Sequence, residues 1–174
     1  TEEIFAAKAH LILKKKHRNF ITIIIPRHVH RANKISEQLE ALNLKVAYHS
    51  SKNKNLNGVD IYIVDTFGES KKFYKIATTV FLGGSLINHG GQNPIEPARF
   101  GAKILHGPNI GNFKEVYKHL KNLKISKKIT TPIEFANSNV FKKNMQKVGK
   151  INYQGKIILK KTIKELNKSI NNEL

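Results

Sequence analysis

The sequence contains no cysteine, no tryptophan and no long apolar run, and its 12 acidic residues face 31 basic ones. Without cysteine the chain has neither disulfides nor thiolate metal ligands, which fits a cytoplasmic location. No apolar run approaches the roughly 20 residues that a membrane-spanning helix needs. The 174 residues have an ordinary hydrophobic content and are too few for two domains of the usual size, so we predict a single domain over 1–174.

The shortage of acidic residues leaves a formal net charge of +19 at pH 7. Such a charge is typical of proteins that bind nucleic acid or an anionic membrane. Lysine, however, supplies 27 of the 31 basic residues, and isoleucine and asparagine are also abundant. The codon bias of an AT-rich genome explains this composition equally well. Because no aromatic residues are interleaved with the lysine runs, an anionic membrane or a phosphorylated substrate suits the charge better than RNA does.

Short apolar segments alternate with helical patterns along the chain, which is typical of βαβ units. We therefore predict an α/β fold with a Rossmann-like parallel sheet and helices on both faces. The predicted strands are 20–25, 44–49, 59–65, 79–84 and 102–107, and the segment near 127–131 is either a weak strand or a loop. The predicted helices are 3–17, one that contains Ile35 and ends near Asn43, 69–77, 94–100, 112–122, one that begins at Pro132, and 154–172.

Unusual loops follow four of the predicted strands. In parallel sheets, ligands bind at the carboxyl ends of the strands. The four loops are PRHVHR (26–31), DTFGES (65–70), GGSLINHGGQNP (83–94) and GPNIGNF (107–113). All of them lie at the carboxyl edge of the predicted sheet, so the sequence predicts a single ligand site there.

Arginine is rare in this chain, and three of its four copies, at 27, 31 and 99, stand in or beside these loops. Arg27 follows Pro26 where the first strand ends, and a guanidinium at that point can bind a phosphate through two hydrogen bonds. A surface salt bridge is the alternative for Arg27, and it is the stronger alternative for Arg31. His28 and His30 lack a third ligand nearby, so we do not predict a metal site.

The loop 65–70 has two features that favour ligand binding. Asp65 ends a strand, and Gly68 frees the backbone before the next helix, whose first amides can approach a flat ligand or an anion. The alternative is that Asp65 only caps this helix.

The loop 83–94 carries the strongest signal. Four glycines, at 83, 84, 90 and 91, permit positive φ or close approach of a ligand. Asn93 and Pro94 then begin a helix whose free N–H groups can face a phosphate. Glu96 in its first turn can accept both hydroxyls of a ribose. The alternative is that Glu96 only stabilises the helix dipole, by about 0.3–1 kcal/mol.

The glycine spacing matches neither the dinucleotide fingerprint nor the P-loop. With its strand–helix order, the loop indicates a nucleotide-sugar site rather than a redox one. In the family's order and spacing, IIPRHVHR, VDTFGES and GGSLINHGGQNPIEPARFGAKILHGPNIGNF resemble the motifs of the 3-deoxy-D-manno-octulosonic acid (Kdo) transferases. The resemblance is clear over about 2–120 and loose beyond. The motif at 83–113 is highly specific, whereas the other two would be weak alone.

The resemblance implies the C-terminal, donor-binding half of a GT-B glycosyltransferase that moves Kdo from CMP-Kdo to the lipid A precursor in lipopolysaccharide biosynthesis. The implied donor contacts are Pro26, Arg27, Phe67, Gly68, Glu69, Asn93, Pro94, Ile95 and Glu96. Further contacts are expected at His28, Asp65, Gly84, Ser85 and Gly91. The family usually has Met or Ile where Phe67 stands and Leu where Ile95 stands, and both changes keep an apolar contact.

The family's catalytic base is a glutamate of the N-terminal domain, which no residue here matches. The resemblance therefore implies that this chain alone is inactive and carries no catalytic residue. It also implies no metal or other cofactor, and a location at the cytoplasmic face of the bacterial inner membrane, where the +19 charge would face anionic lipid. The alternatives are a non-catalytic nucleotide- or anion-binding module and a basic RNA-binding domain. Titration with a cytidine nucleotide separates the three.

Overall fold

The computed structural model describes residues 1–52, 55–138, 141–143, 145, 148, 149 and 151. The described part contains six strands and six α-helices. The strands are β1 (Thr22–Ile24), β2 (Val46–Tyr48), β3 (Ile61–Ile63), β4 (Thr79–Leu82), β5 (Lys103–His106) and β6 (Ser126–Lys128). The helices are α1 (Glu2–Lys14), α2 (Ala32–Glu40), α3 (Ser70–Ile76), α4 (Ile95–Arg99), α5 (Lys114–Asn122) and α6 (Pro132–Ser138).

All strand pairs are parallel, which confirms the predicted Rossmann-like α/β fold. The strands form two three-stranded sheets, in the orders β1-β3-β2 and β4-β5-β6, rather than one hydrogen-bonded sheet. In the first sheet Ile24 is the partner of Ile63, and in the second Leu82 is the partner of His106. Residues of β1 and β4 line a cavity between the two sheets.

Each sheet has its own apolar cluster. On α2 the residues at 32, 35 and 39 are buried against Ile61 and Ile63 of β3, because their spacing puts them on one helical face. In the second sheet, Ile104 of β5 packs with Tyr117 and Leu120 of α5. The helices thus attach to the sheets through the periodic apolar positions that predicted them.

Helix α1 is joined to the first sheet by a buried polar network. His10 is fully buried, with Nδ1 3.0 Å from Thr22 Oγ1 and Nε2 3.4 Å from Asp60 Oδ1. Lys14 forms an ion pair with Asp60, whose second oxygen accepts from the Lys45 amide at 2.9 Å. Burial, and next the positive charge of Lys14, lower the pKa of His10 to about 4. The network therefore holds a neutral histidine inside the fold.

The boundaries differ from the predicted ones at several points. The first helix ends at Lys14 rather than at residue 17, and the strands are shorter than predicted. The predicted helix 154–172 lies outside the described residues. Within the part that the structure describes, no helix is long and apolar enough to cross a membrane. The single-domain division of 1–174 stays a prediction.

Candidate functional site

A cavity of about 830 Å³ lies between the facing edges of β1 and β4. The loops that follow these two strands line its mouth. The lining residues from the loops are Pro26, Arg27, His28, Arg31, Gly83, Gly84, Ile87, His89, Gln92 and Asn93. Glu96 adds a carboxylate from α4. The structure therefore brings the first and third predicted loops together around one space.

The side chains of Arg27 and His89 meet across the mouth of the cavity. Arg27 Nη1 lies 3.3 Å from His89 Nε2, and both residues are exposed. Arg31 instead forms an ion pair with Glu3 at 3.0 Å, which is the salt bridge that the sequence analysis gave as the alternative for this residue. No described carboxylate pairs with Arg27. Its guanidinium is therefore accessible to an anionic ligand.

The loop after β4 is tightly closed by its own hydrogen bonds. Gly84 and Gly91 have positive φ values of 69° and 77°, and the Gly91 amide donates to the Gly84 carbonyl at 2.9 Å. Ser85 is fully buried; its hydroxyl donates to the Leu82 carbonyl at 2.6 Å and accepts from the Gly107 amide at 2.8 Å. The Ser85 side chain therefore ties the ends of β4 and β5 together instead of facing the cavity.

An acidic side chain that the sequence reasoning missed also holds this loop. Glu2, in the first turn of α1, accepts hydrogen bonds from the backbone amides of Gly84, Ser85 and Leu86 at 2.5, 3.1 and 2.8 Å. Charged acceptors make the strongest hydrogen bonds of this kind. The available signal was weak: a pair of glutamates, Glu2 and Glu3, in a chain with few acidic residues.

The side chain of Asn93, which precedes the N-cap residue Pro94, binds the backbone at the start of α4. The Asn93 side-chain oxygen accepts from the Ile95 amide at 3.0 Å. The Pro94 ring is buried, whereas Glu96 is exposed. No hydrogen bond or ion pair from a described residue ends on the Glu96 carboxylate, although its charge contributes to raising the pKa of Tyr74, chiefly an effect of burial. The carboxylate is therefore available at the cavity mouth.

The backbone of Gln92 is held by a hydrogen bond from helix α5. The Tyr117 hydroxyl donates to the Gln92 carbonyl at 2.9 Å, and the Tyr117 ring lies 4.4 Å from the His106 ring between centroids. Burial raises the pKa of Tyr117 and lowers that of His106. The tyrosine thus stays a neutral donor, and sequence reasoning did not single it out because its role depends on a contact 25 residues away.

The loop after β3 does not line the cavity. Asp65 accepts from the Ser50 amide at 2.9 Å and from the Ser50 hydroxyl, so the alternative that it caps α3 is wrong. Partial burial opposes ionisation of Asp65, but the bonds from Ser50 outweigh it and lower its pKa. The hydrogen bond from Lys72 lowers the pKa of Glu69. Gly68 has a φ of 79°, and Phe67 is 80% exposed at the surface.

The two histidines of the first loop lie side by side, with a ring separation of 5.6 Å between His28 and His30. In the described part of the chain, no group of three or more histidines, aspartates or glutamates is arranged to hold a metal ion. The structure thus adds no third ligand to this pair.

Several curated proteins are similar to this chain in sequence, although no protein-family model matches it. The Kdo transferase of Haemophilus influenzae is 30% identical over 119 residues, which are 68% of this chain and 28% of that enzyme. That of Rickettsia felis is 36% identical over 106 residues, 61% of this chain and 23% of the enzyme. A bifunctional glycosyltransferase/methyltransferase of Fusobacterium nucleatum is 32% identical over 123 residues, 70% of this chain and 19% of that protein.

The fold is also similar to that of a crystal structure described as the C-terminal CMP-Kdo binding domain of WaaA from Acinetobacter baumannii. The TM-score is 0.72 at 24% sequence identity, over 78% of this chain and 71% of that one. The chain thus has the α/β fold of that C-terminal domain. Its resemblance in sequence to the Kdo transferases is confirmed, and it spans about a quarter of the length of the curated relatives that it matches.

Proposed function

We propose that this chain is the CMP-Kdo-binding part of a Kdo transferase, the glycosyltransferase that moves Kdo from CMP-Kdo to the lipid A precursor. The observation that carries the proposal is the convergence on one cavity of two loops whose motifs resemble those of the family. At the cavity mouth these loops place the exposed Arg27 guanidinium, which contacts His89 but no described carboxylate, and helix α4 places the exposed Glu96 carboxylate. The similarity in sequence to Kdo transferases supports the choice of donor.

In this proposal the two charged side chains bind different parts of the nucleotide. Arg27 binds the phosphate of CMP, neutralises the charge that develops on the departing nucleotide and holds it in position. Glu96 accepts the hydroxyls of the ribose. Residues Phe67, Gly68 and Glu69 contact the rest of the donor from outside the cavity, and the exposed ring of Phe67 supplies the apolar part of this contact. The donor site uses no metal or other cofactor.

The acceptor and the location belong to the same proposal. The lipid A precursor binds to a part of the enzyme that this chain does not include. The enzyme acts at the cytoplasmic face of the bacterial inner membrane, and the net charge of +19 attracts the chain to anionic lipid. Nucleic acid is not a partner.

Replacing Arg27 by alanine should weaken CMP binding by about 1.5–3 kcal/mol, because a hydrogen bond to a charged group is lost. Isothermal titration calorimetry of the folded variant measures this loss. The matched control is Arg18→Ala, which removes the same charge from an exposed position away from the cavity and should leave the affinity nearly unchanged. Equal affinities of Arg27→Ala and wild type would refute the role of Arg27. Wild-type chain that binds RNA in a salt-dependent way without preferring CMP would support the RNA-binding alternative.

Replacing Glu96 by glutamine should lower CMP affinity by about 1–3 kcal/mol while the affinity for inorganic phosphate stays the same, because only the ribose contact is lost. Titrations with both ligands give the answer. Glu115→Gln is the control, because Glu115 also lies in the first turn of a helix, α5. The Glu115→Gln variant shows how much the loss of a negative charge in the first turn of a helix lowers the melting temperature. We expect its affinities for CMP and phosphate to equal those of wild type. If Glu96→Gln lowers the affinities for CMP and for inorganic phosphate equally, or changes neither affinity, the assignment of Glu96 to the ribose is contradicted.

The purified chain should transfer no Kdo when it is incubated with CMP-Kdo and lipid A precursor, because the family's catalytic base lies in the N-terminal domain. Product detection by mass spectrometry is the measurement. Turnover above the level without protein would show that the base lies in this chain, and Glu69 and His89 would then be the first candidates to replace.

A further inference from the structure

Glu2 and the loop after β4 form an anion–amide arrangement that the proposed function does not explain. Three successive backbone amides, those of Gly84, Ser85 and Leu86, donate to one carboxylate. Such consecutive N–H groups form a concave nest that stabilises a negative charge. The donors lie 82 to 84 residues from the acceptor along the chain, so this contact fixes the loop against α1.

Two glycines give the backbone beside the Glu2 carboxylate the conformation and the space that this contact needs. Gly84 has a φ of 69°, a conformation that residues with a side chain rarely adopt. A Cβ atom at Gly83 would lie only 3.1 Å from Glu2 Oε2. Glycine at 83 thus leaves room for the Glu2 carboxylate beside the chain.

The first turn of α1 contacts both loops that line the cavity. While Glu2 binds the loop after β4, the neighbouring Glu3 forms its ion pair with Arg31, four residues after Arg27. Arg31 is 40% exposed at its side chain, so this pair contributes little by itself. The three bonds to Glu2 are the stronger of the two connections.

We propose that Glu2 is a positioning residue for the donor site. Because Glu2 fixes residues 84–86, it also positions the segment that follows them. That segment carries His89, which contacts Arg27, and leads to Asn93 and Glu96 at the cavity mouth. This inference rests on the proposed function as far as the ligand is concerned. The positioning itself is a property of the chain without ligand.

The test uses Glu2→Gln, which keeps the shape of the side chain but turns an N–H₂ donor towards amides that need an acceptor. We expect CMP affinity, measured at one temperature at which wild type and variant are both folded, to fall about tenfold. This is the effect of losing a hydrogen bond to a charged group. The matched control is Glu37→Gln, which removes the same charge from an exposed position on α2 and should bind CMP like wild type. Glu2→Asp keeps the charge but shortens the reach, and we expect it to lose about threefold.

Backbone amide NMR spectra without ligand separate positioning from mere stabilisation. In Glu2→Gln we expect the amide signals of residues 84–86 to move upfield, since their acceptor is weaker, and those of His89, Gly91 and Arg27 to shift as well. A structural role alone would lower the melting temperature and change the signals of 84–86, but not those at the cavity mouth and not the affinity.

The outcomes separate this inference from the function on which it rests. If wild-type chain fails to bind CMP, the proposed function is wrong, and the shifts at the cavity mouth alone decide whether Glu2 positions the loop. If wild type binds CMP and Glu2→Gln binds it equally well, the positioning role is refuted while the proposed function stands. If Glu2→Gln does not fold, CMP affinity and the amide signals at the cavity mouth are measured on Glu2→Asp instead. If both are the same in Glu2→Asp as in wild type, the positioning role is refuted.

Discussion

Replacing Gly107 by alanine should lower the free energy of unfolding by about 3 kcal/mol, because a methyl group has no space there. Gly107 follows β5 and crosses the backbone of the loop after β4. A Cβ atom at this position would overlap the carbonyl group of Ser85 and lie 2.6 Å from the Leu86 nitrogen. These are backbone atoms, which cannot turn aside as the end of a flexible side chain can. The loop or the end of β5 would have to move.

The displacement would also break hydrogen bonds that organise the site. The Gly107 amide donates to the Ser85 hydroxyl at 2.8 Å, and the Asn109 amide donates to the Ser85 carbonyl at 2.8 Å. We therefore expect CMP affinity to fall together with stability in this variant.

Urea denaturation followed by circular dichroism measures the change at 107. Gly111→Ala is the control, since a Cβ atom there would meet nothing within 4 Å. This control should change stability by no more than a few tenths of a kcal/mol, or increase it slightly by restricting the unfolded chain. A Gly107→Ala variant as stable as Gly111→Ala would show that the two loops do not pack as closely as the structure has them.

Acid should destabilise the fold by about 3 kcal/mol between pH 7 and pH 4 through His10 alone. The pKa of this buried histidine is about 4 in the folded chain, against an ordinary value of 6.5. Between these two values the unfolded chain takes up a proton at His10 and the folded chain does not. The stability due to neutral His10 is therefore fully present above about pH 6.5 and is lost progressively as the pH falls towards 4.

Urea denaturation at a series of pH values tests this expectation. His10→Gln should flatten the profile over this window, because glutamine does not titrate. The control is His30→Gln, which replaces an exposed histidine and should keep the steep profile of wild type. The His30→Gln control keeps the contact between His10 and Asp60, which His10→Gln changes. A His10→Gln profile as steep as that of wild type would contradict the assignment.

The sequence by itself determined the class of fold and the edge at which the loops lie. The run 20–25 is apolar and β-branched, and the structure has β1 within it at Thr22–Ile24. The apolar positions of α2 recur at helical spacing and are buried as that spacing requires. These features depend on neighbours close in sequence, whose preferences add up along a short window. The loop 83–94 could be recognised for the same reason, because its glycines and Asn93-Pro94 are local signals.

Only the tertiary structure decided which side chains meet. The strands divide into two sheets, in the orders β1-β3-β2 and β4-β5-β6, and the sequence of a single strand does not specify its neighbours. Asp65 could cap the helix that follows it or bind Ser50, and only the fold made the second choice. Glu2 lies more than 80 residues from the amides that it binds, and Arg27 lies 62 residues from His89. Contacts over such separations carry no periodic trace in the sequence, because they arise from the packing of whole elements rather than from local preferences.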